Sequence, residues 1–473
     1  GERQNHGELS RRDFFSSTLA AGSLLAFSGL NRVLAAEAAS SSAKTPTRIQ
    51  VVYMAKPIPT WPCPDLDVRA EMDKIDQQLR AVQKQCGHPV QFCGGQLVRT
   101  ADDMPGFLAG VREVDGILAF NLTSTCGPMF TPIVSLGIPT VLFSQPYSGH
   151  DWSTVSGMQK QGKKVEVISS SDVNDLLPVL RIFAALRRTR QTHILCLRAG
   201  QEKKSLENDL EARFGLRISL MDYSELNALY AQADAKAAAE MADAFIAGAM
   251  RMIEPGRKDV IDSMKLYSAV QALLTKYGSE VITIDCLGGF KRNDLPAYPC
   301  VAWTMLNNSG RIGVCEADLT STVTQVLLQY LIGKPGFVSD PVIDTSTNTV
   351  IHAHCVSATK MDGPEASAEP YTIRSHMEDN RGVAVQVKMR VGQEITLAKL
   401  ADAGTMLIST GKIIDNPEGP RGCRTKVTTQ VADADKLLHD YRGGLHRLIF
   451  YGNWVSEVKK MGRLAGFEVV EEI

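Results

Sequence analysis

The sequence predicts an α/β protein: two Rossmann-like parallel-sheet α/β domains followed by a small antiparallel β-barrel-like domain. Three observations carry this prediction. From residue 47 onward, β-branched runs alternate with helix-period segments, and such alternation builds parallel sheets covered on both faces by helices. After residue 351 the texture changes to short strand-like pieces broken by Gly, Pro and Asn, the pattern of antiparallel β-structure. The 473 residues also suffice for about three domains.

Residues 1–38 read as an address. Ser10-Arg11-Arg12-Asp13-Phe14-Phe15 precedes a weakly apolar run over 14–30, then Arg32 and the small-residue stretch Ala35-Ala36-Glu37-Ala38-Ala39. A charged start, a short apolar run and a small-residue cleavage site make a removable export signal. The paired arginines before Phe14-Phe15 resemble the twin-arginine type, which implies passage through the twin-arginine translocase and a periplasmic or otherwise exported location. Residues 39–46 are a small polar linker.

The first α/β domain, 47–180, places strands at 49–53, 90–92, 116–120, 140–143 and 165–168, with helices at 67–85 and 104–114. The second, 181–350, follows a helix over 176–190. It has strands at 194–197, 218–221 and 281–284, a helix at 206–214, Ala-rich helices between 225 and 276, and a helix at 320–332. The C-terminal β-rich domain, 351–473, carries short strands at 372–373, 384–389, 395–397, 405–409 and 426–430. An amphipathic helix near 453–464 and a last strand near 467–470 close the chain.

Composition excludes several function classes. With 51 Lys+Arg against 52 Asp+Glu, the net charge is −1 and the pI 6.8, so neither a phosphate-neutralising nucleic-acid binder nor an extended polybasic anchor fits. Apart from 14–30 no stretch is apolar enough to suggest a membrane, which excludes a multi-span protein. Ten cysteines without a C-x-x-C pair support neither a disulfide scaffold, a zinc ribbon nor thioredoxin-type redox; Cys300, Cys315 and Cys355 read as small buried hydrophobes. Gly288-Gly289 lacks the dinucleotide-binding pattern.

Two stretches concentrate the chemistry: Pro299-Cys300-Val301-Ala302 through Leu306-Asn307-Asn308-Ser309-Gly310 and Cys315-Glu316-Ala317-Asp318 to Asp340-Pro341, and Gly443-Gly444-Leu445-His446. Glu316 is an acid at an apolar strand-to-helix junction, and Asp340 is placed at a similar strand end. Carboxylates at the carboxyl ends of parallel strands face the crevice where α/β sheets bind ligands. On spacing alone both also read as structural, with Asp318 as a helix N-cap and Asp340 as a turn residue before proline.

In this layout the chain resembles the L-fucose isomerase and L-arabinose isomerase superfamily of aldose–ketose isomerases. The resemblance is carried by the stretch 299–340, with its Cys-Glu-x-Asp and Leu-Asn-x-x-Gly patterns, and by 443–446. It implies one divalent metal, most often Mn²⁺, held by Glu316, Asp340 and His446. It also implies a small free sugar as substrate, an enediol intermediate with Glu316 and Asp340 sharing the proton transfer, and a homo-oligomer, trimer or hexamer. Two carboxylates and an imidazole make a hard donor set suited to Mn²⁺ with open positions for two sugar oxygens. Arg447 departs from the pattern, because relatives often carry a second histidine or a small residue there.

Further residues are candidates for substrate binding. His352 and His354 alternate on one strand and share a face. Either is a satisfied core histidine or a ligand, and the resemblance favours His354 as a substrate or metal neighbour. The loop after the strand at 140–143 offers Gln145, His150 and Trp152, polar and aromatic as a sugar-contacting loop would be. Arg424, His376 and Glu378 are placed to reach the site from the β-domain or to serve structure. An exported sugar-binding protein without turnover, and a metal-dependent epimerase on the same scaffold, stand as alternative functions.

Overall fold

The computed structural model describes residues 45–473, so the export signal expected at 1–38 and most of the expected linker lie outside the described residues. Five parallel strands form the first sheet: β1 (Thr47–Met54), β2 (Val90–Val98), β3 (Gly116–Asn121), β4 (Thr140–Ser144) and β5 (Val165–Ser169), in the order β2-β1-β3-β4-β5. The strands β3 and β4 are buried along their whole length, as a sheet covered on both faces requires. The helix Val68–Gln85 covers one face with Met72, Ile75, Leu79 and Val82, and Asp67 caps its N-terminus. β2 runs beyond 90–92 because Gly94 and Gly95 take positive φ at a bulge where β1 slips register; a Cβ at Gly94 would collide with the Gln50 side chain.

A second parallel sheet follows, from β6 (His193–Leu197) and β7 (Arg217–Met221). A two-residue strand, β8 (Arg251–Met252), intervenes before β9 (Val281–Ile284) and β10 (Ile312–Cys315) complete that sheet in the order β10-β9-β6-β7. The helix Leu319–Ile332 leaves the end of β10 and packs on the helix Leu177–Arg190, on the second sheet and on the antiparallel strands at 394–400 and 447–451. Helices Gly127–Ser135, Cys286–Arg292 and Cys300–Asn308 are additional to the sequence expectation. The last is buried nearly all round, so its residues show no polar face from which a helical period can be read.

The barrel sheet comprises β11 (Phe337–Asp344) and β12 (Thr349–His354), and then, after β13 (Tyr371–Arg374) and β14 (Ala384–Val387), which pair with β8 in a sheet of their own, β15 (Glu394–Leu400), β16 (Thr405–Asp415), β17 (Thr425–Gln430), β18 (Arg447–Tyr451) and β19 (Glu468–Glu471). Its order is β15-β18-β11-β12-β17-β16-β19. The β15–β16 pairing closes six antiparallel strands, and β19 adds in parallel on β16. Asp340 is therefore not at the carboxyl end of a parallel strand. It lies inside β11, opposite Ala353 of β12, and the strand continues through Pro341. The barrel sheet thus takes in residues ahead of the 350/351 change in texture. One apolar cluster runs from the first sheet through the helix Leu319–Ile332 into the barrel, including Val51, Phe183, Val326, Leu448 and Phe450. Among the described residues no helix is long and apolar enough to cross a membrane.

Candidate metal centre

Glu316 follows the last residue of β10, and both Glu316 (φ +67°) and Ala317 (φ +52°) hold left-handed backbone. Non-glycine residues there carry strain of order 1–3 kcal/mol each. Two fixtures hold the bend. The Ala317 N–H donates to the Ile284 carbonyl (2.9 Å), and Asp318 caps the helix Leu319–Ile332 by accepting from the Ser321 N–H (2.9 Å). Behind them, Asn307 brackets Gly313, donating to its carbonyl (3.0 Å) and accepting its N–H (3.1 Å), while Gln325 donates to the Asn307 Oδ1 (3.0 Å). Asn308 accepts from the Thr359 and Lys360 N–H groups (2.8 and 2.9 Å), which staples the helix Cys300–Asn308 to the barrel side. The Leu-Asn-x-x-Gly pattern thus positions the junction that presents Glu316.

From the barrel come Asp340 on β11, His354 at the end of β12 and His446 just before β18. Gly443 and Gly444 adopt positive φ, and a Cβ on Gly443 would meet Ala401 Cβ at 2.8 Å and Leu407 Cδ1 at 2.9 Å; only glycine lets this segment lie against the barrel. Arg447 then secures it. Its buried guanidinium donates to the carbonyls of Arg442 (2.8 Å), Gly444 (3.1 Å) and His446 (3.0 Å) and pairs with Glu472 (2.7 Å).

One ligand atom each from Glu316, His354 and His446 lies within 4.8 Å of the others, a geometry that could hold a metal ion. His354 Nε2 stands 3.5 Å from Glu316 Oε1, and His446 Nε2 stands 3.6 Å from Glu316 Oε2 and 3.3 Å from Asp340 Oδ1. His354 is therefore a member of the cluster itself, beyond the neighbour role expected for it. The other ring nitrogen of His446, Nδ1, bonds Asp318 Oδ2 at 2.8 Å. That carboxylate is in turn bonded by the Ser321 hydroxyl (2.7 Å) and by the buried ammonium of Lys399, which also donates to the Ser321 Oγ (2.7 Å). An imidazole fixed at Nδ1 by a carboxylate presents Nε2 as the ligand atom. His446 Nε2 is buried with no hydrogen-bond partner, so the site holds a ligand atom that the protein itself does not satisfy; in His354 the unpartnered buried nitrogen is Nδ1, not the Nε2 that stands near Glu316.

The electrostatics agree with a place built for a cation. Burial opposes protonation of His446, but the Asp318 and Asp340 carboxylates and the Glu316 charge outweigh it and push its pKa up to about 9. His354 is raised in the same way, by Glu316 and Asp340 against its burial. Glu316 is held below the usual carboxylate range, chiefly by His354. Asp318 and Asp340 are also lowered: burial works against this, and His446 prevails in both, aided by Lys399 at Asp318.

No protein-family model matches the chain, and no curated protein matches its sequence.

The remaining candidates sit elsewhere or are otherwise engaged. Gln145, His150 and Trp152 lie after β4 at the carboxyl edge of the first sheet, where the His150 ring is 5.5 Å from Trp61 and 6.4 Å from Trp152. Arg424 donates to the Ser375 carbonyl (2.8 Å) and hydroxyl (2.9 Å) and lies 3.8 Å from Glu254, so its guanidinium is committed to an ion-pair network. His376 faces Asp379 (3.1 Å) among the rings of Phe290 and Tyr298, and Glu378 is exposed. His352 is the satisfied core histidine, bonded to the hydroxyls of Ser339 (3.0 Å) and Thr429 (3.1 Å). Cys286, Cys300, Cys315 and Cys355 join one apolar cluster, and all ten cysteines are free. Sequence reasoning missed Lys399 and the pairing of Asp318 with His446. The capping position of Asp318 was visible, but nothing in the spacing shows where its second oxygen points.

Proposed function

We propose that this protein is a metal-dependent aldose–ketose isomerase acting on a small free sugar. The observation that supports the reading is the convergence of Glu316, His354 and His446, with Asp340 beside His446 and the buried His446 Nε2 left without a hydrogen-bond partner. Two imidazoles and one carboxylate alone would suit Fe²⁺ as well; Asp340 as a fourth donor adds a hard oxygen and favours Mn²⁺. A divalent ion bound there supplies Lewis acidity to the adjacent C1 and C2 oxygens of the sugar.

The chain's own groups do the rest. Asp318 and Lys399 hold the His446 ring in one orientation, and Arg447 holds its backbone. Glu316 and Asp340, both kept ionised, are placed to take a proton from C2 of the aldose and return it to C1 through an enediol. A half-buried Glu316, 33% exposed at its side chain, leaves its carboxylate reachable by substrate. The near-neutral chain suits an uncharged sugar, which needs no electrostatic steering.

An aldose panel assayed with Mn²⁺ and with chelator tests the proposal. Ketose formation that depends on the metal and disappears in Glu316→Gln is the expected result. A protein that binds sugar without turning any over would be a binder, and an epimeric aldose as product would make it an epimerase.

A further inference from the structure

A second cleft, of about 560 Å³, shares no lining residue with the metal centre. It opens where the turn after the helix Val155–Lys160 meets the helix Val455–Ala465 and the start of β19. Its wall carries Lys160, Lys163, Lys459 and Arg463 together with Gly466 and one exposed carboxylate, Glu468. Two more cations stand behind Gly466. A Cβ at that position would lie 3.3 Å from Lys164 Cε and 3.5 Å from Arg213 Nη1, and Arg213 donates to the Gly466 carbonyl (2.6 Å).

Only part of this charge is answered. Arg463 pairs with Glu166 (2.7 Å) and Lys459 with Glu471. Among the described residues, no carboxylate pairs with Lys160, Lys163 or Lys164. Lys164 is half-buried, and its burial together with the charges of Arg213 and Arg190 holds its pKa below the usual lysine value. A cation half removed from water beside other cations is an unfavourable arrangement that a bound anion would relieve. The cleft's volume falls in the range of small-ligand sites. The chain's net charge of −1 gives no extended positive field for a nucleic acid. Several lysines around one concavity are the chemistry that recognises a phosphate group as a point charge.

We propose that this cleft binds a small phosphate-bearing anion, independently of the metal centre. The lysines of the 160–164 turn precede β5 of the first sheet, and Lys459 and Arg463 ride on the helix that packs against both β5 and the barrel strand β16. A ligand held by both would reinforce a junction that the Arg463–Glu166 pair already makes.

Calorimetric titration of pyrophosphate into the metal-free full chain, in chelator and at constant ionic strength, tests this. Saturable binding near one per chain is expected, weakened at least about tenfold in Lys160→Gln/Lys163→Gln/Lys459→Gln and restored by arginine at the same positions. His446→Gln should bind pyrophosphate as the unaltered chain does. Parallel titrations with inorganic phosphate and glucose 6-phosphate distinguish a free ion from an ester as the preferred occupant. The proposal is overturned if pyrophosphate shows no saturable binding, if the triple glutamine variant binds it equally well, or if His446→Gln alone abolishes binding.

Discussion

At the scale of single residues, the centre depends on groups outside the Glu316, His354 and His446 cluster. Asp318 spends one oxygen on a helix cap and the other on His446, so Asp318→Asn should leave the helix while loosening the ring. Losses of such a partner weaken metal binding by about 10–100-fold, and titration of Mn²⁺ into the variant measures it; unchanged affinity would remove Asp318 from the site. A second expectation concerns pH. A protonated imidazole has no lone pair for a metal, and His446 is held protonated up to about 9 in the metal-free protein. Metal binding must release that proton, so affinity should climb with pH by up to about tenfold per unit toward pH 9 and then level off. Stability of the metal-free protein should run the other way. The raised pKa contributes stability fully present below the unfolded value near 6.5, and this is lost as pH rises through about 9. Midpoints of thermal unfolding in chelator between pH 6 and 9 check the sign.

At the scale of elements, His352 gives the opposite titration. Burial pushes its pKa down to about 3, so the folded protein keeps it neutral while the unfolded chain protonates near 6.5. Stability should therefore fall as pH drops from about 6.5 toward 3, by up to about 1.4 kcal/mol per unit from this group. In His352→Gln that slope should disappear under urea denaturation, because Ser339 and Thr429 keep their own acceptors in the carbonyls of Arg447 and Val350. The bend between β10 and its helix makes a further expectation. Ala317→Val should destabilise by about 1–3 kcal/mol while Ala317→Gly is neutral or stabilising, because alanine already resists φ of +52°, a β-branched residue resists it more, and glycine does not. If both behave alike, the bend carries no strain. These elements also mark how far sequence reaches. The helix Val68–Gln85 was legible from one apolar face and β4 from an unbroken apolar run, whereas the all-buried helix Cys300–Asn308 carried no period. Asp340 before Pro341 reads locally as a turn, and only the pairing with β12 makes it mid-strand. His354 and His446, far apart in sequence, meet because β12 and β18 flank β11, a long-range pairing that no local pattern encodes.

At the scale of the whole molecule, the centre joins two architectures. Glu316 is delivered by the second parallel sheet, while Asp340, His354 and His446 are delivered by the barrel. A metal ion bound between them is a cross-link that exists only when both are folded and docked, so its binding free energy adds to the stability of that junction. At a free metal concentration a hundredfold above Kd the gain is about 2.7 kcal/mol. For a chain of this size that corresponds to an unfolding midpoint raised by a few degrees. Differential scanning calorimetry with Mn²⁺ and with chelator should show this shift on the transition that contains the barrel. It should vanish in Glu316→Gln and in His446→Gln alike, although the two ligands come from different sheets. A shift that survives loss of Glu316 would place the ion within the barrel alone, and the parallel sheet would then have no part in the centre.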